Sequence, residues 1–294
     1  MKDLKIILKQ TALEFGAQLF GVTDSGRLKE VDCADTDNLL PGTKSVLVFG
    51  VALNREIIKA YLAKTNFSAR DNMSRHEGEC YHKLWKIGGI LTQILQDEGF
   101  QAVNAWPNKD YRDFRTGAAK QSPFALTPDF AHRFAAVAAG LGKFGWSSNV
   151  VTKEYGAAIY FSSVLTTAVL EPDPLPQDNP CDDCGLCTRV CQVSFVQKTK
   201  DKKELNIAGK TFSHAKTGYI GRCVLCCGGW INQHQYPTWS TFSPLNAKFS
   251  FPESSEEFIS EYKKMVVTDL KGPDSRAKKN ILHHLDLNNS TFAA

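Results

Sequence analysis

Seven of the nine cysteines lie between positions 181 and 227, and four of them, Cys181, Cys184, Cys187 and Cys191, follow one another as C-x2-C-x2-C-x3-C. This is a ferredoxin spacing: three closely spaced thiolates cap three corners of an iron–sulfur cubane, and the fourth reaches across to a second cluster. A structural zinc site would instead use two C-x2-C pairs separated by a longer stretch. An odd cysteine total, tight clustering and no visible secretory signal at Met1–Gln10 argue against a disulfide framework and for reduced thiolates, so a cytoplasmic location is expected. Asp182, Asp183, Gly185, Thr188 and Arg189 make the segment polar, unlike the surroundings of buried, inert thiols.

A second group, Cys223, Cys226 and Cys227, brings the tally to seven where two cubanes need eight ligands. Cys80, Cys33 or a non-cysteine ligand could complete it, or one cluster could carry only three irons. Adjacent Cys226 and Cys227 point in different directions along any regular backbone. The favoured partition therefore places Cys227 with Cys181, Cys184 and Cys187, and Cys191 with Cys223 and Cys226, giving two [4Fe–4S] clusters.

Upstream, helix and strand patterns alternate. Leu4, Ile7, Leu8, Ala12 and Phe15 recur at helical spacing, and Ser45–Leu53 is a nearly continuous apolar run of strand length. From His82 to Glu98 the residues Leu84, Ile87, Leu91, Ile94 and Leu95 form one helix face, closed by Gly99. Phe130–Ala139 predicts a further helix and Tyr160–Leu170 a strand. Four prolines between 172 and 180 predict a stiff extended connector. The expected fold class is α/β (α+β), divided into 1–171, a cysteine-bearing 172–252 and a charged helical tail 253–294. The run Lys198–Lys203 reads as a solvated loop or as a contact for an acidic partner. No apolar run approaches the length of a membrane span, and a net charge of +4 is weak support for nucleic-acid binding.

Several motifs in order carry a family resemblance. Gly140-Leu-Gly142-Lys-Phe-Gly145, then Ser148-Asn149, Glu154-Tyr-Gly156, Leu170-Glu-Pro-Asp173 and the cysteine quartet resemble the epoxyqueuosine reductases and, more distantly, the corrinoid-dependent reductive dehalogenases. Ser74–Lys83 looks like that family's Arg-Tyr-x-x-Gly-x-Asp-Tyr-His segment. The resemblance implies a nitroreductase-like domain that seats cobalamin, followed by a ferredoxin-like double-cluster domain. It also implies electrons entering from a reduced ferredoxin or flavodoxin, and a small-molecule or modified-nucleoside substrate, with transfer RNA as one form. Tyr81, His82, Gly140, Gly142, Gly145, Ser148 and Asn149 fall at the cofactor-contacting positions. Glycines at such positions let backbone approach a flat cofactor, although the same segment standing alone reads as a helix-ending turn after Ala139.

The sequence departs from the family at three points. Leu126 stands where the proton-donating aspartate belongs, leaving Tyr81, Asp129, His132 or Tyr111 as candidate acids. Cys80 replaces the aspartate of the Asp-Tyr-His segment. The second cysteine group lacks the usual C-x2-C-x3-C-Pro spacing. The sequence thus supports an iron–sulfur oxidoreductase, with a pure electron-transfer protein and an iron–sulfur sensor as the competing readings.

Overall fold

The computed structural model describes residues 2–29, 31, 34–63, 68–107, 128–191, 193–197, 201–227 and 250–270, with the side chains of 2, 70, 224–227 and 265–270 excepted. Cys33, Tyr111, Leu126, Lys198–Lys200 and the tail beyond 270 lie outside them. The first of two compact units holds the described residues of Met1–Lys120, Thr127–Cys187 and Thr199–Lys216; the second holds the described residues of Thr188–Lys198 and Thr217–Ala294.

The first unit is built on a four-stranded sheet of β1 (Leu19–Asp24), β2 (Ser45–Ala52), β3 (Ala102–Ala105) and β6 (Ile159–Thr166), in the order β1-β2-β6-β3. Every neighbouring pair is antiparallel. The apolar run of β2 is explained by burial on both faces, since side chains alternate across a strand. Leu47, Phe49 and Val51 enter one core and Val46 and Val48 the other. The first core is closed by α1 (Lys2–Glu14), through Leu4, Leu8 and Ala12, and by α3 (Ser68–Asp97), through Leu84, Ile87, Leu91 and Leu95. Helix α2 (Arg55–Ala63) precedes α3. Gly99, at φ +84°, ends α3 in the left-handed conformation that glycine adopts most cheaply.

The opposite face is covered by α4 (His132–Ala138), whose small residues Ala135, Ala136 and Ala138 are fully buried. The short pair β4 (Lys143–Phe144) and β5 (Val150–Val151) follows it. The lysine-rich run differs from a loop: Lys202 and Lys203 open β7 (Lys202–Ile207), which pairs with β8 (Lys210–Ala215). Ala208 and Gly209, at φ +53° and +73°, make the two-residue turn that matches strand twist. Ile207 and Phe212 of this hairpin lie in the same core as Phe144, and the Ala215 amide donates to the Trp146 carbonyl at 3.0 Å. The described residues of Thr199–Lys216, between the cysteine groups, thus form part of the first unit.

The cysteine quartet runs into the short helix α5 (Leu186–Val190). In the second unit α6 (Ile220–Cys227) carries Cys223, Cys226 and Cys227, and α7 (Ser255–Leu270) opens with Glu256 and Glu257 in its first turn. The Ser254 hydroxyl accepts the Glu257 amide at 3.2 Å, capping α7. Arg222 donates to the Pro252 carbonyl at 3.0 Å and pairs with Glu253, tying the chain entering α7 to α6.

Candidate functional site

Cys80, Cys181, Cys184, Cys187, Cys191 and Cys223 are thiols, not disulfides. Local hydrogen bonds shape the quartet. Asn179 Oδ1 accepts the Cys181 amide and Asp182 Oδ1 the Cys184 amide, each at 3.2 Å. Asp183 and Gly185 hold φ of +53° and +70°, turning the chain between successive cysteines. Two sulfurs already have main-chain donors: the Trp146 amide donates to Cys181 Sγ at 3.3 Å and the Val196 amide to Cys191 Sγ at 3.4 Å. Such amides stabilise thiolate charge and raise the potential of a cluster bound through it. The donor chemistry fits iron–sulfur ligation. Among the described residues, however, no three His, Cys, Asp or Glu side chains gather at a metal-holding distance. The structure does not bring the quartet together as a preformed site, and the side chains of Cys226 and Cys227 lie outside the described residues.

The glycine run is shaped by close approaches of the chain to itself. A Cβ on Gly140 (φ +78°) would fall on the Pro174 carbonyl oxygen, and one on Gly142 would lie 2.6 Å from the Val151 carbonyl oxygen. On Gly145 it would meet Val151 Cγ2 at 2.6 Å and stand 3.7 Å from Cys181 Sγ. Ser148 is buried at φ +66° and accepts from Arg133 at 3.3 Å, while Asn149 is exposed. The space that a side chain would occupy at Gly140, Gly142 and Gly145 is therefore taken up by protein. Gly145 and Trp146 instead link the glycine motif to the first cysteine.

Tyr81 and His82 project from α3, Tyr81 half-buried and His82 exposed. The Tyr81 ring stacks on Tyr160 at 4.6 Å between centroids, and the Tyr160 hydroxyl donates to Glu77 Oε1 at 2.8 Å. Burial first, then Tyr81 and Glu77, push the Tyr160 hydroxyl well above the usual phenol range, so it keeps its proton. Neither Tyr160 nor Glu77 carries a spacing signal; only the fold pairs them. Cys80 is buried in the core beside His76 Nε2 at 3.7 Å, and burial raises its thiol above the ordinary cysteine range.

Asp129 is buried, as is His132, whose Nδ1 lies 2.9 Å from the Ser163 hydroxyl. Burial lowers the His132 pKa to about 4, with the Trp106 backbone opposing weakly. His132 is therefore neutral at pH 7 and holds no imidazolium proton to deliver. Stability from this neutral histidine is present above pH 6.5 and is lost as pH falls toward about 4, amounting to about 3 kcal/mol. We expect His132→Gln to flatten the decline in urea midpoint between about pH 7 and about pH 4.5; an unchanged decline would show that His132 is not buried neutral.

The connector after β6 is pinned at successive points. Asp173 donates its amide to the Val22 carbonyl at 2.8 Å, and its Oδ2 accepts the Val22 amide at 2.7 Å. Lys5 Nζ donates to Asp173 Oδ1 at 2.7 Å and to the Glu171 carbonyl at 2.8 Å. Arg27 Nη1 donates to the Asp173 carbonyl at 2.6 Å and to the Ala138 carbonyl, in the last turn of α4, at 2.9 Å. Lys143 donates to the Gln177 carbonyl at 2.5 Å.

No protein-family model matches the chain. It is 29% identical over 168 residues to an epoxyqueuosine reductase of Gloeobacter violaceus, covering 55% of this chain and 44% of that protein. An epoxyqueuosine reductase of Bacillus cereus is 24% identical over 156 residues, 53% of this chain and 36% of the relative. The tetrachloroethene reductive dehalogenase of Sulfurospirillum multivorans is 24% identical over 213 residues, 66% and 37% of the two chains. This chain thus spans less than half the length of these relatives. Among solved structures, a catabolic reductive dehalogenase in complex with 3-bromo-4-hydroxybenzoic acid matches at TM-score 0.55 and 15% identity, over 92% of this chain and 34% of that one. The chain has the mixed α and β fold that this likeness shows. Over part of its length the chain is similar to epoxyqueuosine reductases and to a reductive dehalogenase.

Proposed function

We propose that the chain is an iron–sulfur oxidoreductase of the epoxyqueuosine reductase type, passing electrons through two [4Fe–4S] clusters to a corrinoid-dependent reduction of substrate. The observation that carries the cluster part is the Trp146 amide aimed at Cys181 Sγ within a ferredoxin-spaced quartet. In this reading Cys181, Cys184, Cys187 and Cys227 hold one cluster, and Cys191, Cys223 and Cys226 the other. A bound cluster supplies one-electron steps, and the amides of Trp146 and Val196 offset the negative charge at its thiolate corners.

Corrinoid binding rests on the relatives and not on the glycine run, whose close approaches are taken up by Pro174 and Val151. Of the implied positions, His82 and Asn149 are exposed and Tyr81 and Gly140 half-buried. Tyr160, held protonated over Glu77, keeps Tyr81 in place by stacking. The substrate class is a small molecule or a modified nucleoside, with transfer RNA as its carrier in the second case. The electron donor is a reduced ferredoxin or flavodoxin, a class of acidic carrier that the exposed Lys202, Lys203 and Lys210 would attract.

A second reading keeps the clusters but has the chain donate electrons to a partner, such as a corrinoid protein, without substrate chemistry of its own. The filled glycine run favours it. Absorption and paramagnetic resonance spectra of protein produced with cobalamin available separate the two. A bound or titratable cobalt signal alongside intact clusters is the expected result. Intact clusters with no cobalt signal would leave the electron-transfer reading in its place.

A further inference from the structure

The Leu170-Glu-Pro-Asp173 motif has a physical role that the resemblance does not assign. β1 is the edge strand of the sheet, and Asp173 covers its open side at Val22 with both a main-chain and a side-chain bond. The same carboxylate takes Lys5 from α1, while its carbonyl takes Arg27, which also holds the end of α4. Three separate elements thus converge on one residue. From there prolines at 174, 176 and 180 restrict the chain, Lys143 holds Gln177, and Asn179 receives the Cys181 amide. The strap ends where Cys181 Sγ meets the Trp146 amide, beside Gly145.

We propose that Asp173 is the positioning residue for the first cysteine arm, clamping the connector to the β1 edge so that the Cys181 thiolate is delivered to the Trp146 amide. This rests on the reading of Cys181 as a cluster ligand. Pre-setting one thiolate shortens the search that the remaining three must make when a cluster is inserted, since the backbone between positions 173 and 181 is already ordered.

The test is amide hydrogen exchange on the metal-free, reduced full chain, which needs no cluster and no activity. In Asp173→Ala the Val22 and Trp146 amides should both exchange at least several-fold faster than in the unaltered protein, while Gly218, bonded to Phe195 in the second unit, keeps its rate. Cys181→Ala should release Trp146 alone. Lys5→Gln removes the ion pair and the bond to the Glu171 carbonyl but leaves both Asp173 bonds to Val22, and should give a smaller rise at both amides, which keeps the test informative if Asp173→Ala folds poorly. Faster exchange at Val22 with Trp146 as protected as before would overturn the proposal, since Asp173 would then secure the sheet edge without placing Cys181. Exchange as predicted in a chain that assembles no iron would uphold the positioning and overturn the cluster reading on which its purpose depends.

Discussion

Gly140→Ala is expected to destabilise the first unit by about 2–5 kcal/mol, the sum of a left-handed backbone forced on a residue with a side chain and of overpacking against a fixed neighbour. Gly140 sits at φ +78°, and its missing Cβ leaves room for the carbonyl of Pro174, a main-chain atom that cannot swing aside. That carbonyl belongs to the strap held at Asp173 and at Gln177, so relief by moving it would disturb the bonds on either side. Gly156 is the control: at φ +59° it has nothing within 4 Å of an added Cβ, so Gly156→Ala carries backbone strain alone, about 1 kcal/mol. Denaturant unfolding of the two variants measures the difference. Equal midpoints would mean that the close approach at Pro174 is not maintained in solution. A large gap would assign the glycine to folding, where the family resemblance points to cofactor contact.

Cys191→Ala is expected to remove roughly half of the iron, because the fourth cysteine of a ferredoxin quartet serves the other cluster. In the structure Cys191 lies after α5, in a different compact unit from Cys181, Cys184 and Cys187, and has its own donor in the Val196 amide. Loss of iron confined to one cluster, with the Cys181 group still loaded, is the predicted pattern. Retention of all the iron would refute ligation across the two clusters, and loss of all of it would mean that neither cluster assembles without the other.

The patterned elements were legible because their signals are local. The β2 run reports burial on both faces by its unbroken apolar length, and the Leu84–Leu95 stripe reports burial on one face by its 3.6-residue period. Helix α3 begins at Ser68, well before its apolar stripe, because its first half carries Arg75, His76, Glu77 and Glu79 and packs through single positions such as Met73 and Cys80. Its periodicity is therefore faint there. The lysine run concealed a strand because β7 exposes Lys202, Lys203 and Glu204 in succession and buries only Ile207 fully. The Ala208-Gly209 turn was the readable clue.

The candidate site divides in the same way. Cysteine spacing marks the candidate cluster ligands, and the order of the motifs marks the relatives. The partners that define their surroundings are remote: Trp146 is 35 residues from Cys181, Val22 is 151 from Asp173, and Glu77 is 83 from Tyr160. No local pattern encodes those distances. At the glycine run the carbonyl that takes up the side-chain space of Gly140, that of Pro174, is likewise remote in the sequence.

The central claim is that this chain holds two [4Fe–4S] clusters, and a paired assay of iron and acid-labile sulfide on anaerobically purified protein tests it most directly. About eight of each per chain is the predicted result, falling to about four in Cys191→Ala. About four of each in the unaltered chain would contradict the two-cluster account, and zinc in place of iron and sulfide would contradict iron–sulfur ligation altogether.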